Sequence, residues 1–189
     1  MKLQFSITPA TFILILCMIA TTPLVPLSAS LCAAAIHELG HIIAARLLSI
    51  DLTHMRLDVL GARLNTTGRL YAYSEMTMLC FAGPLINFLC FALSFPFSGT
   101  APWLAEFSLS SLSLGLLNLL TIYGFDGGRI LHGLLCRFLP LRVAERMILV
   151  LSFCCIFLLW AISVWLLLRT GNSLTLFVFS CCLFCMLFV

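Results

Sequence analysis

Charged side chains are scarce in this sequence. Asp, Glu, Lys and Arg make up 9% of the 189 residues, whereas 62% of the residues are apolar and the mean hydropathy is +1.18. A water-soluble domain ordinarily carries about a quarter charged residues. The shortage of charge therefore excludes a soluble globular protein. Apolar stretches long enough to cross ~30 Å of hydrocarbon recur along the chain, and they predict a multi-pass integral membrane protein.

Runs of basic residues are also missing. The formal net charge is +3, and the Lys and Arg residues are scattered, so the sequence predicts no nucleic-acid partner. Ten cysteines are present, but nine of them fall within apolar stretches, where thiols pack as small polarizable groups. The cysteines therefore predict neither a disulfide scaffold nor a redox site.

The apolar stretches predict about six transmembrane helices, at roughly 7–24, 30–48, 76–97, 107–123, 147–168 and 174–189. Pro23 and Pro26 are expected to end the first helix. An alternative interpretation of the first thirty residues is a signal peptide cleaved after Ser28-Ala29-Ser30. Counts of five or seven helices would leave the first four in place.

The basic residues are divided unequally between the two faces of this arrangement. One face receives nine of the ten: Lys2, then Arg46, Arg56, Arg63 and Arg69 after the second helix, then Arg129, Arg137, Arg142 and Arg146 after the fourth. Only Arg169 falls on the opposite face. The positive-inside rule then predicts that both termini lie in the cytoplasm, and we expect a bacterial cytoplasmic membrane.

The connection between the second and third helices is too polar to span. Residues His54–Val59 alternate polar and apolar side chains, which is typical of a strand, and Leu70–Tyr73 could be the partner strand. An irregular polar loop is the alternative. The predicted fold class is an all-α polytopic membrane protein with about six transmembrane helices and a small interfacial β-hairpin between helices two and three.

Ionisable residues inside the second predicted helix point to metal chemistry. In His37-Glu38-Leu39-Gly40-His41 the two histidines stand at i and i+4, so both imidazoles project from one helix face and can bind the same ion. Glu38 is about 100° round the helix and can act as a general base without being a ligand. Such residues are costly in a membrane unless they are paired or metal-bound, and hydrogen bonding to neighbouring helices is the alternative interpretation.

A catalytic zinc site needs a third protein ligand. Asp126 follows the fourth predicted helix, which runs in the same direction as the second, so both sets of candidate ligands fall toward the same membrane face. We therefore predict that Asp126 is the third ligand. The alternative role for Asp126 is that of a turn residue that ends the helix before Gly127 and Gly128.

Three ordered motifs resemble the site-2 protease family, peptidase family M50. They are His37-Glu38-x-x-His41, then Ala82-Gly83-Pro84-Leu85-Ile86-Asn87, then Asn118 with Asp126-Gly127 eight residues on. The compact form is similar to the stage IV sporulation protein FB branch. The resemblance implies that His37, His41 and Asp126 bind Zn²⁺, that Glu38 activates water, and that Asn118 helps to position the substrate or the oxyanion. The family's usual prolines are replaced by Thr121 and Gly124, and no PDZ or CBS domain is evident.

The sequence thus predicts a single intramembrane metalloprotease domain over 1–189, with a catalytic core at about 30–129 and accessory helices at 7–24, 147–168 and 174–189. The expected partners are membrane-protein substrates, the lipid bilayer and regulatory membrane proteins. His54 and His132 are expected to be surface groups. The alternatives are a catalytically silent relative that binds client proteins, and a metal-ion transporter, which would need ionisable residues along the whole membrane path.

The predicted topology can be tested by labelling single cysteines in a chain whose native thiols have been replaced. Arg63→Cys and Arg142→Cys should react only with a reagent that is admitted to the cytoplasm, because the basic connections lie there. Glu106→Cys should react with a membrane-impermeant reagent added outside. The reverse labelling pattern would invert the topology.

Overall fold

The computed structural model describes residues 4–7, 19, 22–50, 52–58, 61–66, 71–170 and 174–187. Its elements in chain order are strand β1 (Gln4–Ile7), helix α1 (Leu24–Leu47), strands β2 (Leu52–Asp58) and β3 (Gly61–Thr66), helix α2 (Tyr73–Ser94), a 3-10 turn (Phe95–Phe97), and helices α3 (Pro102–Asn118), α4 (Asp126–Cys136), α5 (Leu141–Thr170) and α6 (Leu174–Leu187). The described part is therefore mainly helical, with one small sheet.

Three segments of the described chain are long and apolar enough to cross a membrane: Leu24–Leu47, Tyr73–Phe97 and Leu141–Arg169. They support an integral membrane protein. Helix α3 has 17 residues and helix α6 has 14, which is short of the ~20 residues that a span requires. The count of six spans therefore stays a prediction, and the predicted first span at 7–24 lies almost wholly outside the described residues.

The first described helix begins earlier than the sequence predicted. Helix α1 begins at Leu24 rather than near residue 30, with Pro23 as its N-cap and Pro26 in its first turn. Pro26 therefore lies inside a helix rather than at the end of one. The predicted helix at 7–24 lies almost wholly outside the described residues, so the expectation that Pro23 ends it stays a prediction. The first-turn N–H groups of a helix have no intrahelical acceptor, so a proline costs nothing there and its fixed φ favours helix initiation.

Other predicted boundaries also shift. The third and fifth predicted helices extend to Tyr73 and Leu141 at their N-terminal ends, and the fourth ends at Asn118 rather than near residue 123. The alternative role of Asp126 as a helix-ending residue is wrong, because Asp126 begins α4. The two glycines after Asp126 resemble a turn in the sequence, but in the structure they form the first turn of a helix.

The small sheet has the order β1-β2-β3, with β2 parallel to β1 and antiparallel to β3. The expected partner strand at Leu70–Tyr73 was wrong, because β2 pairs with Gly61–Thr66 and Tyr73 begins α2. Among the described strands β2 is central, since Met55 pairs with Phe5 on one side and with Leu64 on the other.

Helices α1, α2 and α3 pack on one another, and α4 packs against α2. Small residues allow this close approach. A Cβ atom added at Gly40 of α1 would lie 2.9 Å from the Ala82 carbonyl oxygen of α2. Ala29 and Ala33 of α1 are buried against Phe107 of α3. The packing brings the histidine face of α1 to the interior of the helix group.

Candidate metal centre

Helix α1 presents His37 and His41 from one face, one turn apart. Their ring centroids lie 4.9 Å apart in an edge-on arrangement, and the residues are 3% and 5% exposed. Their Nε2 atoms are separated by 3.2 Å. Both imidazoles therefore direct the same ring nitrogen toward one point among apolar helices.

Asp126 reaches that point from the first turn of α4. Its Oδ2 atom lies 3.1 Å from Nε2 of His37 and 3.2 Å from Nε2 of His41, and the residue is 7% exposed. A carboxylate in the first turn of a helix is also stabilised by the helix dipole. The structure thus brings together the three residues that the sequence predicted as metal ligands.

These three atoms fit a tetrahedral metal ion. Ligand atoms ~2.0 Å from a shared zinc ion stand roughly 3.3 Å apart, and the observed separations are 3.1, 3.2 and 3.2 Å. Two imidazole nitrogens and one carboxylate oxygen are a donor set that zinc accepts, and a catalytic zinc site has three protein ligands and one open position. His37, His41 and Asp126 are accordingly a group that could hold a metal ion.

The ionisation of Asp126 also suits a ligand. Asp126 lies outside the three candidate spans. Burial alone would raise the pKa of its carboxyl, but the hydrogen bonds with His37 and His41 outweigh burial and lower the pKa to about 2. The carboxylate is therefore ionised at neutral pH, which is the form that binds a cation.

Groups on α2 fix the orientation of both imidazoles. Nδ1 of His41 donates to the carbonyl oxygen of Leu79 over 2.8 Å, which leaves Nε2 with its lone pair free for a metal. Nδ1 of His37 lies 3.1 Å from the side-chain amide of the fully buried Asn87. Metal binding at Nε2 of His37 places the proton on Nδ1, so the Asn87 amide must then present Oδ1 as the acceptor.

Gly83 leaves the space that the two imidazoles occupy. A Cβ atom added at Gly83 would meet Nε2 of His41, and it would lie 2.6 Å from Cε1 of that ring and 2.7 Å from Nε2 of His37. The backbone of α2 is thus in direct contact with the metal-binding edges of both rings. Any larger residue at position 83 would displace a ligand or the helix.

The other predicted site residues lie in different surroundings. Glu38 is half-buried on α1, next to His37 in the chain. Asn118 ends α3, and its amide donates to the carbonyl of Leu114 over 3.1 Å, so it points back along its own helix. His132 is on α4 beside Cys136 and is not a member of the ligand group. His54 lies in β2.

Sequence reasoning did not assign a role to Asn87 or to the clearance at Gly83. Both residues were seen only as parts of a motif. A signal was present, because a buried amide in an apolar helix requires a partner and Gly83 stands one turn before Asn87 on the same helix face. The role of the Leu79 carbonyl could not be predicted from the sequence, since any residue supplies a backbone carbonyl.

The chain has the fold of a solved structure described as "Site-2 Protease from Methanocaldococcus jannaschii". The TM-score is 0.64 at 22% sequence identity, and the match covers 97% of this chain and 89% of that chain. No family model and no curated protein sequence matches the chain. The shared feature is therefore the fold, and in this chain the His37, His41 and Asp126 cluster is built into it.

Replacing Asn87 should weaken metal binding. We expect Asn87→Leu to lower zinc affinity by about 10- to 100-fold, because His37 loses the partner that holds its Nδ1. Chelator competition on the purified protein measures this affinity. Ser94→Ala is the control, since Ser94 is also buried on α2 but bonds only within its own helix. Equal affinities for both variants would contradict the role of Asn87.

Adding one methyl group at position 83 should abolish the site. We expect Gly83→Ala to retain less than about one tenth of the zinc bound by the wild type, since the new Cβ collides with both imidazoles. Metal analysis after purification provides the measurement. Gly115→Ala on α3 is a matched control, because the atoms nearest its new Cβ belong to the ring of Phe88, at 3.2 Å or more. Full zinc content in Gly83→Ala would show that α2 does not lie this close.

Proposed function

We propose that this protein is an intramembrane zinc metalloendopeptidase of the site-2 protease family that cuts membrane-embedded or membrane-adjacent proteins. The observation that carries the proposal is the convergence of two imidazole nitrogens and a carboxylate oxygen, 3.1–3.2 Å apart, between apolar helices. The shared fold supports it. The compact form and the three motifs favour the stage IV sporulation protein FB branch.

The chemistry divides between the ligands and their neighbour Glu38. A bound zinc ion would supply a Lewis acid that polarises the scissile carbonyl and acidifies water. His37, His41 and Asp126 would hold the ion. The Leu79 carbonyl keeps His41 in the required tautomer, and Asn87 would do the same for His37 with its amide turned to present Oδ1. Glu38 takes the proton from the attacking water and returns it to the leaving amine.

We propose that Asn118 stabilises the oxyanion. Its amide is a suitable donor, and donors aimed at the developing charge lower the barrier to acyl transfer. In the structure this amide donates to Leu114. The role therefore requires Asn118 to exchange that bond for one to the substrate when the substrate arrives.

The position of the site favours membrane proteins as substrates. His41 stands six residues before the end of α1, or about 9 Å along the axis at ~1.5 Å per residue. Leu39 and Ile43 on the same helix are exposed, as befits lipid contact. We propose that the ligand end of α1 is cytoplasmic, so cleavage would release a cytoplasmic fragment. A substrate helix must unwind first, because its peptide bonds are engaged in its own hydrogen bonds.

The decisive test separates the base from the ligands. Glu38→Gln should lower cleavage of a co-expressed single-span substrate by about 10²- to 10⁴-fold and leave zinc bound, because the carboxylate transfers protons and is not a ligand. His37→Ala, His41→Ala and Asp126→Ala should each lose zinc together with activity.

Glu145→Gln, an exposed carboxylate variant on α5, serves as the control and should match the wild type. Zinc loss in Glu38→Gln equal to that in Asp126→Ala would contradict the assignment of Glu38. A wild-type protein that holds zinc but cuts none of a broad substrate panel would favour the alternative of a catalytically silent client-binding relative.

A further inference from the structure

The segment that precedes Asp126 contacts α5, a helix outside the predicted catalytic core. Residues 119–125 connect α3 to α4, and they lie against α5. Ser152 of α5 is fully buried there. Its hydroxyl accepts the backbone N–H of Tyr123 over 2.7 Å and lies 3.2 Å from the carbonyl of Thr121.

A buried helical serine usually bonds only to its own helix. Ser152 does so, since its hydroxyl donates to the carbonyl of Ile148 over 2.6 Å. That bond uses the hydroxyl proton and leaves the oxygen lone pairs available. The lone pair that accepts from Tyr123 is thus what links α5 to the connection, and alanine at position 152 would leave this N–H without an acceptor.

A second contact repeats the link one turn further along α5. Thr121 Oγ1 lies 3.1 Å from Sγ of Cys155. Next to it, Ile122 and Phe125 are buried in a cluster with Ile156. One face of α5 therefore fixes the connection by polar and apolar contacts together.

The backbone between Tyr123 and Asp126 has little conformational freedom. Gly124 has a φ of 101°, which residues with a Cβ rarely adopt, and the N–H of Phe125 donates to the Ile122 carbonyl over 3.0 Å. The backbone of Gly128 packs directly on the Ile122 carbonyl. The turn is therefore closed on itself, so fixing the Tyr123 N–H also fixes Asp126, three residues on.

We propose that Ser152 is a positioning residue for the metal ligand Asp126, which makes α5 part of the metal centre. The proposal rests on the proposed function, because it assumes that Asp126 binds zinc. The groups that its hydroxyl contacts are the Tyr123 N–H and the carbonyls of Thr121 and Ile148, and none of them is a proposed ligand. It acts by holding the backbone that sets where Oδ2 stands relative to the two histidines.

The test compares two serines of the same helix. Ser163 is also fully buried on α5, but it bonds to Ser180 of α6 over 3.1 Å, away from the connection. We expect Ser152→Ala to lower zinc affinity by about 10-fold or more, because residues that orient a metal ligand contribute at least this much to affinity. Ser163→Ala should leave the zinc affinity within about twofold of the wild type. In metal-free protein, amide exchange of residues 119–126 should accelerate in Ser152→Ala only.

A double-mutant cycle shows whether the effect passes through Asp126. In an Asp126→Asn background, Ser152→Ala should cause no further loss of zinc affinity, because the ligand that it positions is already impaired. An equal loss in both backgrounds would overturn the proposal in favour of a general structural role. Unchanged zinc affinity in Ser152→Ala alone would overturn it as well.

A milder variant covers the case in which Ser152→Ala does not fold. Thr121→Val keeps the shape of the side chain and removes the bond to Cys155, so it should weaken zinc binding less than Ser152→Ala but measurably. Wild-type affinity in a folded Thr121→Val would count against the role of α5. Failure of the wild type itself to bind zinc would instead refute the proposed function, so the two failures are distinguishable.

Discussion

The whole arrangement depends on the burial of a carboxylate and two imidazoles among apolar helices. Each of these groups is costly away from water unless it has partners of matching charge or hydrogen-bonding capacity. His37, His41 and Asp126 satisfy one another at 3.1–3.2 Å, and Leu79 and Asn87 satisfy the outer ring nitrogens. The close packing of α2 and the tight connection before α4 are the means by which the chain holds this group together.

The histidine pair could be predicted from the sequence because its geometry is local. A spacing of i and i+4 places two side chains on one face of any helix, so His37 and His41 needed no tertiary information. The apolar length of the segments likewise predicted Tyr73–Phe97 and Leu141–Arg169 closely. The membership of Asp126 in the same group was predicted from chain direction and motif resemblance, and the structure places its carboxylate beside both rings.

What the sequence could not supply depends on contacts between distant segments. Strand pairing is set by which segments meet in space, and so the partner of β2 was predicted wrongly. A proline can start a helix as well as stop one, so Pro23 was ambiguous. The support that Ser152 gives to the Asp126 connection joins positions 29 residues apart, and a single serine within an apolar helix carries no sign of it.

The parallel pairing of β1 with β2 places two distant parts of the chain side by side. Strand β2 begins five residues after α1 ends, so the sheet stands near the C-terminal end of that helix. Strand β1 belongs to the same sheet. Leu24, the first residue of α1, lies at the opposite end of that helix from the sheet, about 36 Å along the helix axis at ~1.5 Å per residue. Gln4 and His54 consequently lie side by side in one sheet, so probes placed at these two positions would report the same surroundings.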